Sequence, residues 1–334
     1  MIDFRYHVVS LVSVFLALAV GIVLGAGPLN EGISTGITDQ VRQLTTEKNA
    51  LRTERDEALA TTEQQDAWAE AVAPALLARQ LAGRGVAVVE LPGADSSQVD
   101  ASVEQLQAAG ANVSSRVTLQ DAWFDGARSA VEDRRETAAA LAGQLPLAPA
   151  PDAGTEDVLA SALAQALVST EPAPVENPSE NPEQNPDESA RTVLGTLSEA
   201  GLVDVQDGTD PVPARATLAL VVGGAPDPDA TDAVRGSTAQ AWTALLRELD
   251  GAGAGAVLAG PPEAAADGGP LAVLRADADL SAAVSGVDDL DSPIGRINAV
   301  LALRQQLTGG AGQYGSADSA TDVSPPLPAP VSAT

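Results

Sequence analysis

Residues Val8 to Gly27 read VVSLVSVFLALAVGIVLGAG, 20 positions without a charged side chain. A helix needs about 20 such residues to cross roughly 30 Å of hydrocarbon, so this run decides the compartment in which the remainder must fold. Arg5 precedes it and Pro28 ends it. One arginine on the N-terminal side orients the segment N-in, C-out under the positive-inside bias. The rival reading is a cleaved signal peptide, with Gly25, Ala26 and Gly27 as small residues for a peptidase. Two features favour an uncleaved anchor over residues 1–28. The run exceeds the roughly 7–15 apolar residues of a signal core, and the sequence after it keeps a helical pattern. Gly21 and Gly25 add a GxxxG spacing through which two anchors can approach closely, although glycine is common in membrane helices generally.

Over residues 29–73 the pattern turns amphipathic. Ile37, Leu44, Leu51 and Ala58 recur at spacing seven, and Gln65 and Val72 continue the register less well. The companion positions Ser34, Val41, Lys48, Arg55, Thr62 and Ala69 are mostly polar. One apolar and one largely polar seam predict a short coiled coil of modest strength. It would form a homodimer assisted by the anchor, with Ile37, Val41, Leu44 and Leu51 as the dimerisation residues. The competing reading is a lone helix packed on its own domain.

Residues 74–315 carry the pattern of an α/β ectodomain. Val86–Leu91 (VAVVEL) is a continuous apolar run rich in β-branched residues, as a strand buried on both faces requires. Pro92-Gly93 punctuates it, Asp95 or Ser96 can cap a helix to about Ala109, and Gly110 stops that helix. Ala111–Leu119 supplies a second strand, completing a βαβ unit. A helix follows over about Gly126–Leu145. Further strands are expected at Leu202–Val205, Ala216–Val222, Gly255–Ala259 and Ala282–Val287, with helices over Ser189–Ala200, Asp229–Asp250 and Ile294–Leu307. Residues 171–188 (EPAPVENPSENPEQNPDE) hold five prolines, six acids and no base. That composition cannot bury a core and predicts a loose insert, either within one sheet or between two lobes. Residues 316–334, rich in Pro, Ser and Ala, predict a disordered tail. The fold class is α/β: an N-terminal transmembrane helix and coiled coil, then an open, mainly parallel, Rossmann-like sheet with helices on both faces.

Charge and residue inventory exclude several functions. The chain has 46 acidic and 18 basic residues, a formal charge of −28, and is repelled by phosphate backbones, so no nucleic-acid partner is expected. It has no cysteine, and its one histidine and one methionine are His7 and Met1. Hydrolytic triads built on histidine therefore have no base in the ectodomain, and the sulfur and imidazole ligands that copper prefers are missing there. Asp288, Asp289 and Asp291 read as a solvated turn ahead of the last helix. Val222-Gly223-Gly224-Ala225-Pro226 follows a strand without the GxGxxG or Walker spacing of a phosphate loop and reads as a turn. No catalytic residue, cofactor or metal site is expected, and the chain reads as non-enzymatic. One apolar helix cannot enclose a pore by itself, and the strands lack the alternation of a membrane barrel.

Two stretches carry a resemblance. MIDFRYHVVSLVSVFLALAVGIVLGAGPL (Met1–Leu29) resembles the opening of the actinobacterial MctB family, also known through its SteB members. VSGVDDLDSPIGRINAVLALRQQLTGGAGQYG (Val284–Gly315) resembles the end of that family's domain. The resemblance implies two roles. One is copper handling, since the family is named for copper transport in the outer membrane. The other is control of the envelope and cell division, in which members pair with a membrane-protein partner and help activate a peptidoglycan hydrolase. The ligand-poor ectodomain favours the second, as a dimeric scaffold on the plasma membrane with its ectodomain outside the cytoplasm. Copper efflux is the alternative. A degenerate small-ligand-binding α/β domain is a third reading, which an apolar pocket with converging polar groups would bring forward.

Overall fold

The structure, a computed structural model, describes residues 4–25, 29–143, 145, 150, 152–170, 186–206 and 215–327. The apolar run forms helix α1 (Phe4–Gly25), whose residues are all exposed. It is the one helix among the described residues long and apolar enough to cross a membrane. The heptad segment falls within α2 (Leu29–Leu77), a single helix of 49 residues. The chain divides into two compact units, Met1–Gln65 and Asp66–Thr334, and the end of α2 belongs to the second.

In the second unit the chain runs β1 (Gly85–Glu90), α3 (Ser96–Ala108), β2 (Asn112–Leu119), α4 (Arg128–Ala142), α5 (Thr155–Leu167), α6 (Pro186–Glu199) and β3 (Val203–Val205). It continues with β4 (Leu218–Val222), α7 (Asp232–Ala252), β5 (Ala256–Ala259), α8 (Pro270–Ala276), α9 (Ala278–Ala283), β6 (Ser285–Val287), α10 (Pro293–Gln306) and β7 (Gln313–Tyr314). The strands form one seven-stranded sheet in the order β3-β2-β1-β4-β5-β6-β7. Only β3 runs antiparallel to its neighbour; the other pairings are parallel. One sheet therefore answers the question left open by the insert. Residues 171–185 lie outside the described residues, and Pro186–Glu188 open α6, with proline in the first turn, where its missing N–H costs nothing.

The sheet is apolar on both sides because the parallel strands are covered twice. Ala87, Val89, Val117, Ala219, Val221 and Leu258 face the layer that contains α4 to α7. Val86, Val88, Leu218, Leu220 and Val257 face α3, α10 and the end of α2, where Ala69, Ala73 and Leu77 are buried. Burying each Val or Leu fully contributes on the order of 1.5–3 kcal/mol. Glu90 is the polar exception in β1, and it is buried as the ion-pair partner of Arg116 on β2. The helices begin where local chemistry allows. Asp95 accepts from the Ser97 amide at 2.8 Å, and Ser292 accepts from the Gly295 amide at 3.0 Å. Gly110 ends α3 at φ +87°, where a Cβ would also crowd the Ala82 backbone at 3.3 Å.

Two parts of the fold differ from the sequence-based expectation. Helix α5, not anticipated, occupies the middle of one helical layer with nine of its 13 residues buried. The segment 316–327, expected as part of a disordered tail, is instead tied to the sheet edge. The Ser316 amide donates to Asp288 Oδ1 at 2.7 Å and to Asp289 Oδ2 at 2.9 Å. Asn298 Nδ2 donates to the Val323 carbonyl at 2.9 Å, and Thr321 N donates to the Gln313 carbonyl at 2.8 Å. Beneath this strap the Arg275 guanidinium is buried against Asp288 at 2.9 Å and donates to the Tyr314 carbonyl at 3.1 Å. Asp288 and Asp289 are thus structural groups, not the solvated turn the sequence predicts.

Candidate functional site

Of the four residues expected to mediate dimerisation, the Ile37 side chain lies outside those described. Val41, Leu44 and Leu51 lie on α2 and are 55%, 63% and 60% exposed. Leu44 and Leu51 share a shallow concavity on the helix flank with Glu47, Lys48, Arg52 and Arg55. Together they leave an exposed apolar stripe bordered by both signs of charge. Along the chain the stripe follows α1 directly.

A second candidate site lies at the carboxyl ends of the strands, where the winding of the sheet reverses. From β1 the chain crosses to β2 on one side, and from β4 it crosses to β5 on the other, so β1 and β4 are adjacent but their following loops diverge. Open α/β sheets form a crevice at such a switch point. Here the loop after β1 turns at Pro92-Gly93, with Gly93 at φ +81°. The loop after β4 passes so close that a Cβ on Gly224 would sit 1.9 Å from the Gly93 carbonyl oxygen. Glycine is required there by the close approach of the two backbones. Beyond it, Ala225-Pro226-Asp227-Pro228 forms one wall of the crevice, the turn Asp121–Trp123 with Phe124 and Asp125 forms another, and α7 supplies Val234, Arg235, Thr238 and Trp242. The Phe124 and Trp242 rings meet edge to face with centroids 6.3 Å apart.

The crevice encloses about 730 Å³, within the roughly 300–1,000 Å³ of small-molecule sites. Its polar groups are few and uneven. The Trp242 indole Nε1 and the Arg235 Nε are buried without a hydrogen-bond partner, and Trp242 as a whole is 9% exposed. The Asp125 carboxylate accepts from the Ala127 amide at 2.8 Å and that of Asp227 from the Asp229 amide at 2.9 Å. At the start of α7 Thr231 accepts from the Val234 amide at 3.4 Å, and Asp232 sits in the first turn. Among the described residues, no group of three or more His, Cys, Asp or Glu side chains could hold a metal ion.

Sequence reasoning identified the turns at Pro92-Gly93 and Gly223-Gly224 but not their meeting. The signal that could have shown it is the strand order, since each turn directly follows a central strand.

These features define a class of protein: an α/β domain with a switch-point crevice, preceded by a helix able to span a membrane. The whole length then fixes the family. Residues 1–325 match the family model described as "Copper transport outer membrane protein, MctB". The Copper transporter MctB of Mycobacterium tuberculosis (strain ATCC 25618 / H37Rv) is 32% identical over 330 residues, covering 97% of this chain and 99% of that protein. The Copper transporter MctB of Mycobacterium leprae (strain TN) is 31% identical over 334 residues, covering 98% of this chain and all of that protein. The chain belongs to the MctB family.

Proposed function

We propose that this chain is a single-pass, non-enzymatic scaffold of the cell envelope. In this reading α1 anchors it in the plasma membrane with the ectodomain outside the cytoplasm. Helix α2 pairs with a second copy, and the dimer presents surfaces to a membrane-protein partner and a peptidoglycan hydrolase. The observation that carries the reading is the exposed stripe of Val41, Leu44 and Leu51 on a long helix directly after a membrane-spanning one. Such a stripe is stabilised by burial against another helix.

Copper transport, the activity in the relatives' name, is the second reading, and family membership favours it. With no cysteine, one histidine and one methionine in the chain, and with that histidine in α1, the ectodomain offers copper only oxygen ligands, which bind it poorly. A copper role is therefore assigned to a partner, with this chain in support; an outer-membrane location belongs to the same alternative.

Sedimentation of the full-length protein in detergent tests the scaffold. The unmodified chain is expected to sediment as a dimer and the double variant Leu44→Asp/Leu51→Asp as a monomer; an unchanged balance would sink the dimer. Titration calorimetry with copper ions tests the alternative, since a dissociation constant below micromolar would overturn the ligand argument. Pull-downs with and without residues 29–72 test the partners, which should be lost with that segment.

A further inference from the structure

We propose that the crevice between the loops following β1 and β4 binds a small, flat, apolar acid: an aromatic ring or rings carrying a single carboxylate. This goes beyond the scaffold reading and does not depend on α2.

Three observations specify the ligand. The first is shape. Phe124 and Trp242 provide aromatic walls, with Val234, Pro92 and Pro226 beside them, in a space of about 730 Å³. Aromatic and apolar linings of this size favour flat hydrophobic bodies.

The second is hydrogen-bond polarity. Indole Nε1–H and guanidinium Nε–H can only donate. Both the Trp242 and Arg235 donors are buried without a partner, and Trp242 is nine-tenths buried. Leaving a buried donor unpaired is unfavourable, so the complementary molecule must bring acceptors. A carboxylate supplies two oxygens and a charge for Arg235.

The third is charge. Asp121, Asp125 and Asp227 also line the crevice. Three carboxylates against one guanidinium leave the lining with an excess of negative charge, which repels a multiply charged anion most strongly; a single carboxylate is held only where it sits directly on the Arg235 guanidinium. The α7 start has its Val234 amide taken by the Thr231 side chain and carries Asp232 in its first turn, whose charge opposes a phosphate there. These charges rank a nucleotide below an aromatic monoacid as the occupant.

The test is calorimetry on the full-length protein in lipid nanodiscs with indole-3-acetate as probe, indole-3-ethanol as its neutral counterpart, and inorganic triphosphate. One saturable site per chain is expected for the acid, with submillimolar affinity. Trp242→Phe keeps a ring and removes the N–H, and should weaken binding about tenfold, as loss of one hydrogen bond does. Arg235→Gln lies outside the core and should weaken it by about tenfold or more while bringing acid and alcohol to equal affinity. Thr238→Trp should fill the crevice and abolish binding. The proposal is overturned if the acid shows no saturable heat, if Thr238→Trp binds it as the unmodified chain does, or if alcohol or triphosphate binds as well as the acid. Melting temperatures of the three variants confirm that each remains folded.

Discussion

The carboxyl edge of the sheet has an open region and a sealed one, and each contains an arginine. At the β6–β7 end, Arg275 finds Asp288 and the Tyr314 carbonyl, and the chain folds back over them through residue 323. At the β1–β4 switch point, Arg235 reaches only the Pro228 carbonyl, at 3.5 Å, and its Nε has no partner. The difference is one of supply. At one end the protein delivers its own acceptors to the terminal nitrogens of a buried cation and leaves only its Nε unpaired; at the other it builds walls and donors, and neither the Arg235 Nε nor the Trp242 Nε1 has an acceptor.

Substitution of the two arginines should separate these roles most sharply. Arg275→Gln leaves Asp288 as an uncompensated buried charge and should cost about 3–5 kcal/mol. In a domain of this size that lowers the melting temperature by on the order of 10 °C, readable by circular dichroism. Arg235→Gln should change stability by no more than about 0.5 kcal/mol. Equal losses would break the contrast.

The next effect is at the loop crossing. Gly224→Ala places a methyl against the Gly93 carbonyl, and overpacking of this kind costs about 1–3 kcal/mol or more. The loops must part, so ligand binding at the crevice should fall with stability in the same titration.

The smallest effect concerns pH at the sealed end. Burial, with the adjacent Asp288 carboxylate, raises Asp289 above the ordinary carboxylate range, against the lowering effect of its Ser316 hydrogen bonds. The folded chain therefore holds this proton to higher pH than the unfolded chain does. The contribution of Asp289 becomes unfavourable as pH rises through that range. Asp289→Asn removes the titration and tolerates the φ of +61° at this position. The melting temperature of the variant minus that of the unmodified chain should grow as pH rises from the ordinary aspartate range of about 4; a difference independent of pH would count against the assignment.

The elements legible in the sequence were those whose burial is one-sided or continuous. β4 and β5 are unbroken apolar runs and β1 is broken only by Glu90; α3 and α7 have polar faces, and α10, though ten of its 14 residues are buried, opens at a recognisable Ser-Pro start. Helix α5 was not legible because it is apolar nearly all round, and a helix buried on every side has no 3.6-residue contrast to read. β7 is two residues long, too short for any pattern. The strap over residues 316–323 has the composition of a tail, and its order comes from distant partners: the Asp288–Asp289 pair for the Ser316 amide, the Gln313 carbonyl for Thr321 and Asn298 for the Val323 carbonyl. At the crevice, the glycines and prolines were visible as turns, whereas their convergence depends on β1 lying beside β4, which no local signal encodes.

That central pairing has a kinetic consequence. Gly85 and Thr217, whose hydroxyl reaches the Gly85 carbonyl, are 132 residues apart in the chain. The middle of the sheet is thus its least local contact, and the entropy of closing so long a loop must be met before the two halves stabilise each other. While residues up to β4 are still being made, β1 has β2 on one side and an unsatisfied backbone edge on the other. Such an edge invites pairing with another chain. The order in which this protein emerges therefore matters to its yield, and conditions that slow synthesis between β2 and β4 lengthen the interval in which it is prone to aggregate.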